Sequence, residues 1–351
     1  MKVLFTVGYQ NKPFNKTLYE KNGMGGSEYC VINLADKFAE DGHDVYVTGQ
    51  VEAETYNNVK YIDYSSISNN QHFDIVISSN YIHYFKHLEE KNITFDKSYF
   101  WIHNLPNNGL DYLNHPKLTN IIAVSDWQKG KLVKKYNLDP NKIKVIGNAI
   151  NPNDFDNIKQ EKFKNKVIYT SGPDRGLWNL LNIWDDLKKI NPKLTLWIAN
   201  PPYTDNWDEW NIIKRDFPNY EKDFDVHYLG SLNPNDLYRQ IKSSEWWIYP
   251  SQYPETYCIT ALEMMMGRVK VLSSDTGNLK NLLNNKSTLV SSFTHENTQK
   301  QDSPFLEDNK SNVENKNTGL MRYTFVAAYA FSNEQGDKLD ENLNKAETFA
   351  R

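Results

Sequence analysis

The sequence predicts an α/β chain built from two doubly wound parallel-sheet units in tandem. Three observations predict it. Short apolar runs alternate with amphipathic stretches from Lys2 to Ile146, a polar unpatterned stretch follows from Asn151 to Asn165, and the alternation restarts at Lys166. Strands that are apolar along their length are buried on both faces, which calls for helices on both sides of a parallel sheet. The chain has 351 residues, 39% of them apolar, more than one ordinary core uses and enough for two.

In the first half, residues 2–8 read as a buried strand. Ser27 stands as an N-cap before a helix with Val31, Leu34, Ala35 and Phe38 at helical spacing. Gly42 closes that helix, and residues 44–48 read as the next strand. Further strands are expected at 73–78, 98–103 and 120–125, then a helix from Asp126 to Tyr136 and a closing strand at 142–146. This gives a first domain over 1–150 and a linker over 151–165. The second domain, 166–335, opens with a strand at 166–170 and a helix from Leu177 to Ile190. Strands follow at 194–199, 226–229, 246–249 and 269–273, with helices at 234–243 and 260–266 and a short last strand at 288–290. Residues 292–319 are polar and read as a mobile insertion, and a helix is expected over 336–351.

Composition removes several functions. The net charge of −4 gives no basic surface for nucleic acid. Two distant cysteines, Cys30 and Cys258, give no disulfide framework. The first apolar run is too short for a signal-peptide core, and no run approaches the ~20 residues of a membrane span. A cytoplasmic protein without a transmembrane segment is expected, with peripheral membrane contact left open.

Open parallel sheets bind ligands outside the carboxyl ends of their strands. Four turns at such ends draw notice. The first is Asn22-Gly-Met-Gly-Gly-Ser-Glu28, before a helix, where Gly25 and Gly26 admit a close backbone approach and the helix start suits phosphate. The same pattern also serves as a plain turn, and its spacing is not the dinucleotide fingerprint. The second is His103, ending a buried strand in Trp101-Ile-His-Asn-Leu-Pro106, placed either to bond a sugar hydroxyl or to be satisfied by backbone. The third runs from Tyr169 through Ser171 to Leu177, and its Arg175 carries a planar, permanently charged group suited to a diphosphate; a solvated turn arginine is the other reading. The fourth places Glu255 after a strand and Glu263 inside the following apolar helix, eight residues apart. A carboxylate in such company needs a hydrogen-bonding partner, and sugar hydroxyls are natural ones. The other histidines, His72, His83, His87 and His115, read as surface positions, and no pair has metal-ligand spacing.

The chain resembles the retaining GT-B glycosyltransferases of the large family 4 type, the glycosyl transferases group 1. Six segments carry the resemblance in the family's order: Met-Gly-Gly-Ser-Glu, Trp-Ile-His, Ala-Val-Ser-Asp-Trp-Gln, Val-Ile-Gly-Asn-Ala-Ile, Pro-Asp-Arg-Gly-Leu and Glu-Thr-Tyr-Cys-Ile-Thr-Ala-Leu-Glu. The resemblance implies two Rossmann-like domains facing across a cleft, and a sugar moved from a nucleotide-diphosphate sugar to a glycan, lipid or other hydroxyl acceptor. It implies Gly25 and Gly26 at the donor diphosphate or sugar, His103 near the reaction centre and Glu255 on the transferred sugar. It also implies the amides of Thr256, Tyr257, Cys258 and Ile259 at the phosphates and Glu263 on the ribose. Arg175 takes the place of the family's lysine, while Thr170-Ser171-Gly172 stands where the family carries an arginine, so one of two cations is missing. Retention without metal or cofactor is expected, the nucleotide sugar being a co-substrate. A non-catalytic nucleotide-sugar or glycan-binding module, and an epimerase acting on a nucleotide sugar, stay as alternatives.

Overall fold

The computed structural model describes residues 1–8, 12–81, 83–105, 113–204, 210–211, 215, 224–283 and 288–290. The insertion expected at 292–319 and the helix expected at 336–351 lie outside the described residues. By backbone contacts the chain divides into two compact units, Met1–Pro152 and Asn153–Arg351.

The first unit holds an eight-stranded sheet in the order β3-β4-β2-β1-β5-β6-β7-β8. Its strands are β1 Lys2–Val7, β2 Asp44–Gly49, β3 Glu54–Tyr56, β4 Val59–Asp63, β5 His72–Ser79, β6 Thr94–Ile102, β7 Asn120–Ala123 and β8 Ile143–Val145. All neighbours pair in parallel except β3 with β4. Helices α1 Lys16–Asn22, α2 Gly26–Glu40, α3 Tyr84–Glu90 and α4 Asp126–Tyr136 belong to this unit. One core cluster joins Leu4, Val76, Phe100 and Ile121 of successive strands to Phe85, Leu88 and Leu132 of the helices.

Two expectations change here. The N-cap of α2 is Gly25, not Ser27, and it makes no side-chain cap bond; Ser27 instead accepts a bond from Asn80 Nδ2 at 3.2 Å. Tertiary contact has taken the hydroxyl that capping would use. His87 and His115 are not plain surface residues: His87 stacks on Tyr81 at 5.6 Å and His115 on Phe85 at 3.9 Å.

The second unit holds a six-stranded, wholly parallel sheet in the order β11-β10-β9-β12-β13-β14. Its strands are β9 Phe163–Tyr169, β10 Thr195–Ala199, β11 Val226–Gly230, β12 Ser244–Tyr249, β13 Lys270–Ser274 and β14 Thr288–Val290. Its helices are α5 Asn153–Asp156, α6 Leu177–Ile190, α7 Pro234–Ser243, α8 Ile259–Met266 and α9 Leu279–Leu282. The stretch expected as a linker is partly built into this unit. Phe155 of α5 is buried and its ring packs 4.3 Å from that of Tyr238 in α7. Trp210 is fully buried and donates to Thr204 Oγ1 at 2.9 Å.

Strand order reverses between β1 and β5 in the first sheet and between β9 and β12 in the second. At such a switch point the flanking loops diverge and leave a crevice at the strand ends.

Candidate active site

In the second unit the loops leaving β9, β12 and β13 are locked together at the switch point. Tyr169 closes β9 and its hydroxyl donates to Gly172 O at 2.7 Å. A single turn, Pro173–Arg175, follows and ends at Gly176, whose φ of 109° suits glycine. A Cβ at Gly176 would stand 2.7 Å from Pro250 O, so the first loop lies directly on the backbone of the second. Asn179 Nδ2 adds a bond to Pro250 O at 2.9 Å. From the third loop, Ser274 Oγ and Thr276 Oγ1 both donate to Ser251 O, at 2.6 and 3.0 Å. Asn278 N donates to Glu255 O at 2.7 Å.

That bracing presents five side chains. Glu255 is buried, and its Oε1 accepts from Tyr249 OH at 2.8 Å and faces Arg175 Nη1 at 3.6 Å. Arg175 Nε pairs with Asp174 Oδ2 at 3.1 Å, and the guanidinium lies 3.2 Å above the Tyr253 ring. Burial pushes the Glu255 carboxyl up, against the opposing pull of Arg175 and Tyr249. Burial works against the Arg175 charge, but Glu255, Tyr253 and Asp174 outweigh it and hold the group above its ordinary value. Ser171 is buried at the same strand end, and beside it the Thr170 hydroxyl is buried without a hydrogen-bond partner among the described residues.

Residues 256–259 carry the chain from Glu255 into α8. Cys258 is its N-cap, with a φ of 73° and no side-chain cap bond. The first amides of a helix lack partners within it, so this turn offers donors to an anion. Glu263 lies one turn into α8, half-buried. Burial, with Asp154 adding to it, pushes its carboxyl up to about 7.

In the first unit His103 directly follows β6, is 6% exposed, and is drawn to a pKa of about 3 by burial, so the imidazole is neutral. Asn80, in a left-handed conformation with φ 53°, accepts from His103 N at 2.8 Å through Oδ1 and donates to Ser27 Oγ through Nδ2. One amide thus holds His103 and the Gly25-Gly26-Ser27 turn together. Asn148 Nδ2 lies 3.5 Å from His103 Nδ1. Gln128 braces the strand end from α4, donating to Ile102 O and Asn104 O at 3.1 and 3.0 Å.

The expected residues therefore fall into two groups: Gly25, Gly26 and His103 in the first unit, and Ser171, Arg175, Glu255, residues 256–259 and Glu263 in the second. Sequence reading did not single out Asn80, Asn148, Tyr249 or Tyr253, which hold them. Tyr249 and Tyr253 flank Pro250-Ser251 in the loop that carries Glu255; Asn148 stands inside the quoted Val-Ile-Gly-Asn-Ala-Ile segment, and nothing local marks Asn80. Among the described residues, His72, Asp74 and Asp96 bring potential metal-ligand atoms within 4.8 Å of one another. They stand on β5 and β6, at or near the amino ends, away from the turns above. Both cysteines are free. No described helix is long and apolar enough to cross a membrane.

Residues 151–319 match the family model described as glycosyl transferases group 1. No curated protein matches the chain. Among solved structures, Anabaena Alr3699/HepE in complex with UDP-glucose is similar at a TM-score of 0.61 and 13% identity, over 100% of this chain and 98% of that one. A glycosyltransferase from Rickettsia africae ESF-5 is similar at 0.61 and 16%, over 99% and 97%. The lipopolysaccharide outer core galactosyltransferase WaaB, in its apo form, is similar at 0.56 and 14%, over 100% and 99%. At these identities the likeness is one of fold, and the fold is that of the GT-B glycosyltransferases.

Proposed function

We propose that this chain, with its GT-B fold and its group 1 match over the second unit, is a glycosyltransferase that moves a sugar from a nucleoside-diphosphate sugar to an acceptor hydroxyl. The observation that carries the reading is the Tyr249–Glu255–Arg175 arrangement. A buried carboxylate and a stacked guanidinium stand at the switch point of the sheet, one on each of its two flanking loops. A carboxylate held there binds hydroxyls of the transferred sugar, and the cation stands ready for a leaving diphosphate. The HepE structure, which holds UDP-glucose, supports a uridine donor of the same kind.

In the reaction we envisage, the bond between the anomeric carbon and the β-phosphate oxygen breaks as the acceptor oxygen bonds that carbon. The acceptor proton passes to the departing phosphate oxygen, leaving a glycoside and a nucleoside diphosphate. Arg175 and the amides that open α8 stabilise the charge that develops on the leaving oxygens. Attack and departure on one face of the sugar retain its configuration, with Glu255 holding hydroxyls rather than acting as nucleophile. Glu263 holds the ribose, and His103, as a neutral imidazole, bonds the reacting sugar. Charge compensation by Arg175 and backbone amides needs no metal. We place the reaction in the cytoplasm, in line with two free thiols, and assign a hexose as the transferred group.

The test is nucleoside-diphosphate release from a panel of nucleotide sugars beginning with UDP-glucose, with and without an acceptor panel. Acceptor-dependent release that drops at least about a hundredfold in Glu255→Gln is expected. Binding without turnover on any acceptor would favour the second reading, a binding module. That reading draws on the uncharged Thr170-Ser171-Gly172 stretch, where a second cation is missing. Donor binding itself is read by thermal shift, since a bound donor stabilises by mass action.

A further inference from the structure

We propose that Asn148 is a positioning residue for His103: its amide fixes the imidazole as the Nε2–H tautomer, so that His103 meets the reacting sugar as a hydrogen-bond donor. The inference rests on the functional reading above for its consequence, though not for its test.

Asn148 follows the short edge strand β8 and is 8% exposed; His103 directly follows β6 and is 6% exposed. Between these strands lies β7, so the two side chains meet above the end of an intervening strand. Asn148 Nδ2 faces His103 Nδ1 at 3.5 Å. An amide nitrogen only donates, so the ring nitrogen that faces it must accept. The ring is neutral because burial draws its pKa to about 3, and a neutral imidazole carries one proton. That proton then belongs to Nε2.

The rest of the setting keeps the ring from turning away. The His103 backbone N–H is tied to Asn80 Oδ1 at 2.8 Å, and the ring packs 4.5 Å from that of Trp101. Gln128 holds the carbonyls on both sides of His103. Asn148 Oδ1 is buried and has no hydrogen-bond partner among the described residues. An unfilled buried acceptor is costly unless a ligand or water meets it. Asn148 therefore has one end committed to the imidazole and the other a buried acceptor left unfilled, which a hydroxyl donor would satisfy. A neutral donor–acceptor pair of this kind suits a sugar hydroxyl, not a charged group.

The experiment reads the tautomer directly. Full-length protein carrying ¹⁵N-histidine is examined by long-range ¹H–¹⁵N correlation, with His103 assigned by its loss in His103→Gln. Wild type should show His103 protonated at Nε2 and bare at Nδ1. In Asn148→Asp a carboxylate faces Nδ1 and only accepts, so the proton should move to Nδ1. Turnover with the best donor should then fall at least about tenfold, since a wrong tautomer disables an imidazole, while the UDP-glucose thermal shift is kept. If Asn148→Asp does not fold, Asn148→Ala serves, with a mixture of tautomers expected. A proton on Nδ1 in wild type, or an unchanged tautomer in both variants, overturns the proposal. These spectra need no turnover, so a wild type that transfers no sugar would sink the functional reading separately.

Discussion

Arg175 Nη1 lies 3.6 Å from Glu255 Oε1, and this contact joins the loop after β9 to the loop after β12. Glu255 is the more deeply buried partner, with its side chain 12% exposed against 24% for Arg175. Removing the cation strands a carboxylate that burial already disfavours. Arg175→Met should cost about 2 kcal/mol in urea denaturation, less than the ~3–5 kcal/mol of a fully buried pair because the arginine is partly solvated. Adding Glu255→Gln should return much of that loss, and strictly additive costs would sink the coupling. Arg175→Lys keeps the charge but not the planar stack on Tyr253, so it should fall between.

Gly277 supports Glu255 from beneath. Its φ is 65°, and a Cβ there would stand 2.4 Å from Glu255 O and 2.5 Å from Glu255 N. Gly277→Ala combines left-handed strain with a backbone clash and should cost at least about 2 kcal/mol. It should weaken donor binding too, by lifting Glu255. Gly130 is the control: it lies in α4, and a methyl group there would meet nothing within 4 Å, so Gly130→Ala should stabilise by up to about 1 kcal/mol. Equal melting temperatures for the two variants would refute this account.

These two loops also show what the sequence made legible. The strand, Glu and apolar-helix order around Glu255 and the Pro-Asp-Arg-Gly turn are local patterns, and both stand where expected. Helices α4, α6 and α7 keep the expected limits because Ser125, Gly176 and Asn233 punctuate them, and α6 and α7 add strong apolar faces. Strands β3 and β4 escaped notice because Glu54–Tyr56 and Val59–Asp63 are short and mixed in polarity. They lie at one edge of the sheet, where both faces need not be apolar. Asn148 stands in the Val-Ile-Gly-Asn-Ala-Ile segment, but that segment does not announce its place beside His103, and Asn80 carries no local signal at all. Asn80 joins residues 23 positions ahead and 53 behind it, so its use exists only once the sheet has formed.

Glu263 predicts a pH dependence of stability. Its folded pKa, about 7, lies above the ordinary 4.5 because burial, then Asp154, disfavours the carboxylate. A raised acid binds its proton more tightly when folded. Its contribution is complete below pH 4.5 and is lost as pH rises through 7. The loss is on the order of 3 kcal/mol across that window. Glu263→Gln removes it, so wild type should be the more pH-sensitive protein between pH 4.5 and 7.5. Parallel stability profiles for the two would contradict the assignment. Ribose hydroxyls donating to the carboxylate should pull its pKa down, and nucleotide binding near neutral pH should then release protons, which calorimetry in two buffers reads.

His103 predicts the opposite slope. Its pKa of about 3 lies below the ordinary 6.5 because burial disfavours the imidazolium. A depressed histidine binds its proton more tightly when unfolded. Stability is therefore full above pH 6.5 and falls as pH drops toward 3, by roughly 5 kcal/mol over the whole window. His103→Gln lacks this loss. Other titrating groups contribute to both proteins alike, so the difference between their urea profiles from pH 7.5 down to pH 4.5 isolates the imidazole. The gap between wild type and variant should narrow steadily as the medium becomes more acidic. A gap that holds constant would mean that the His103 ring reaches water and protonates in place, and the neutral donor assigned to it at pH 7 would lose its physical basis.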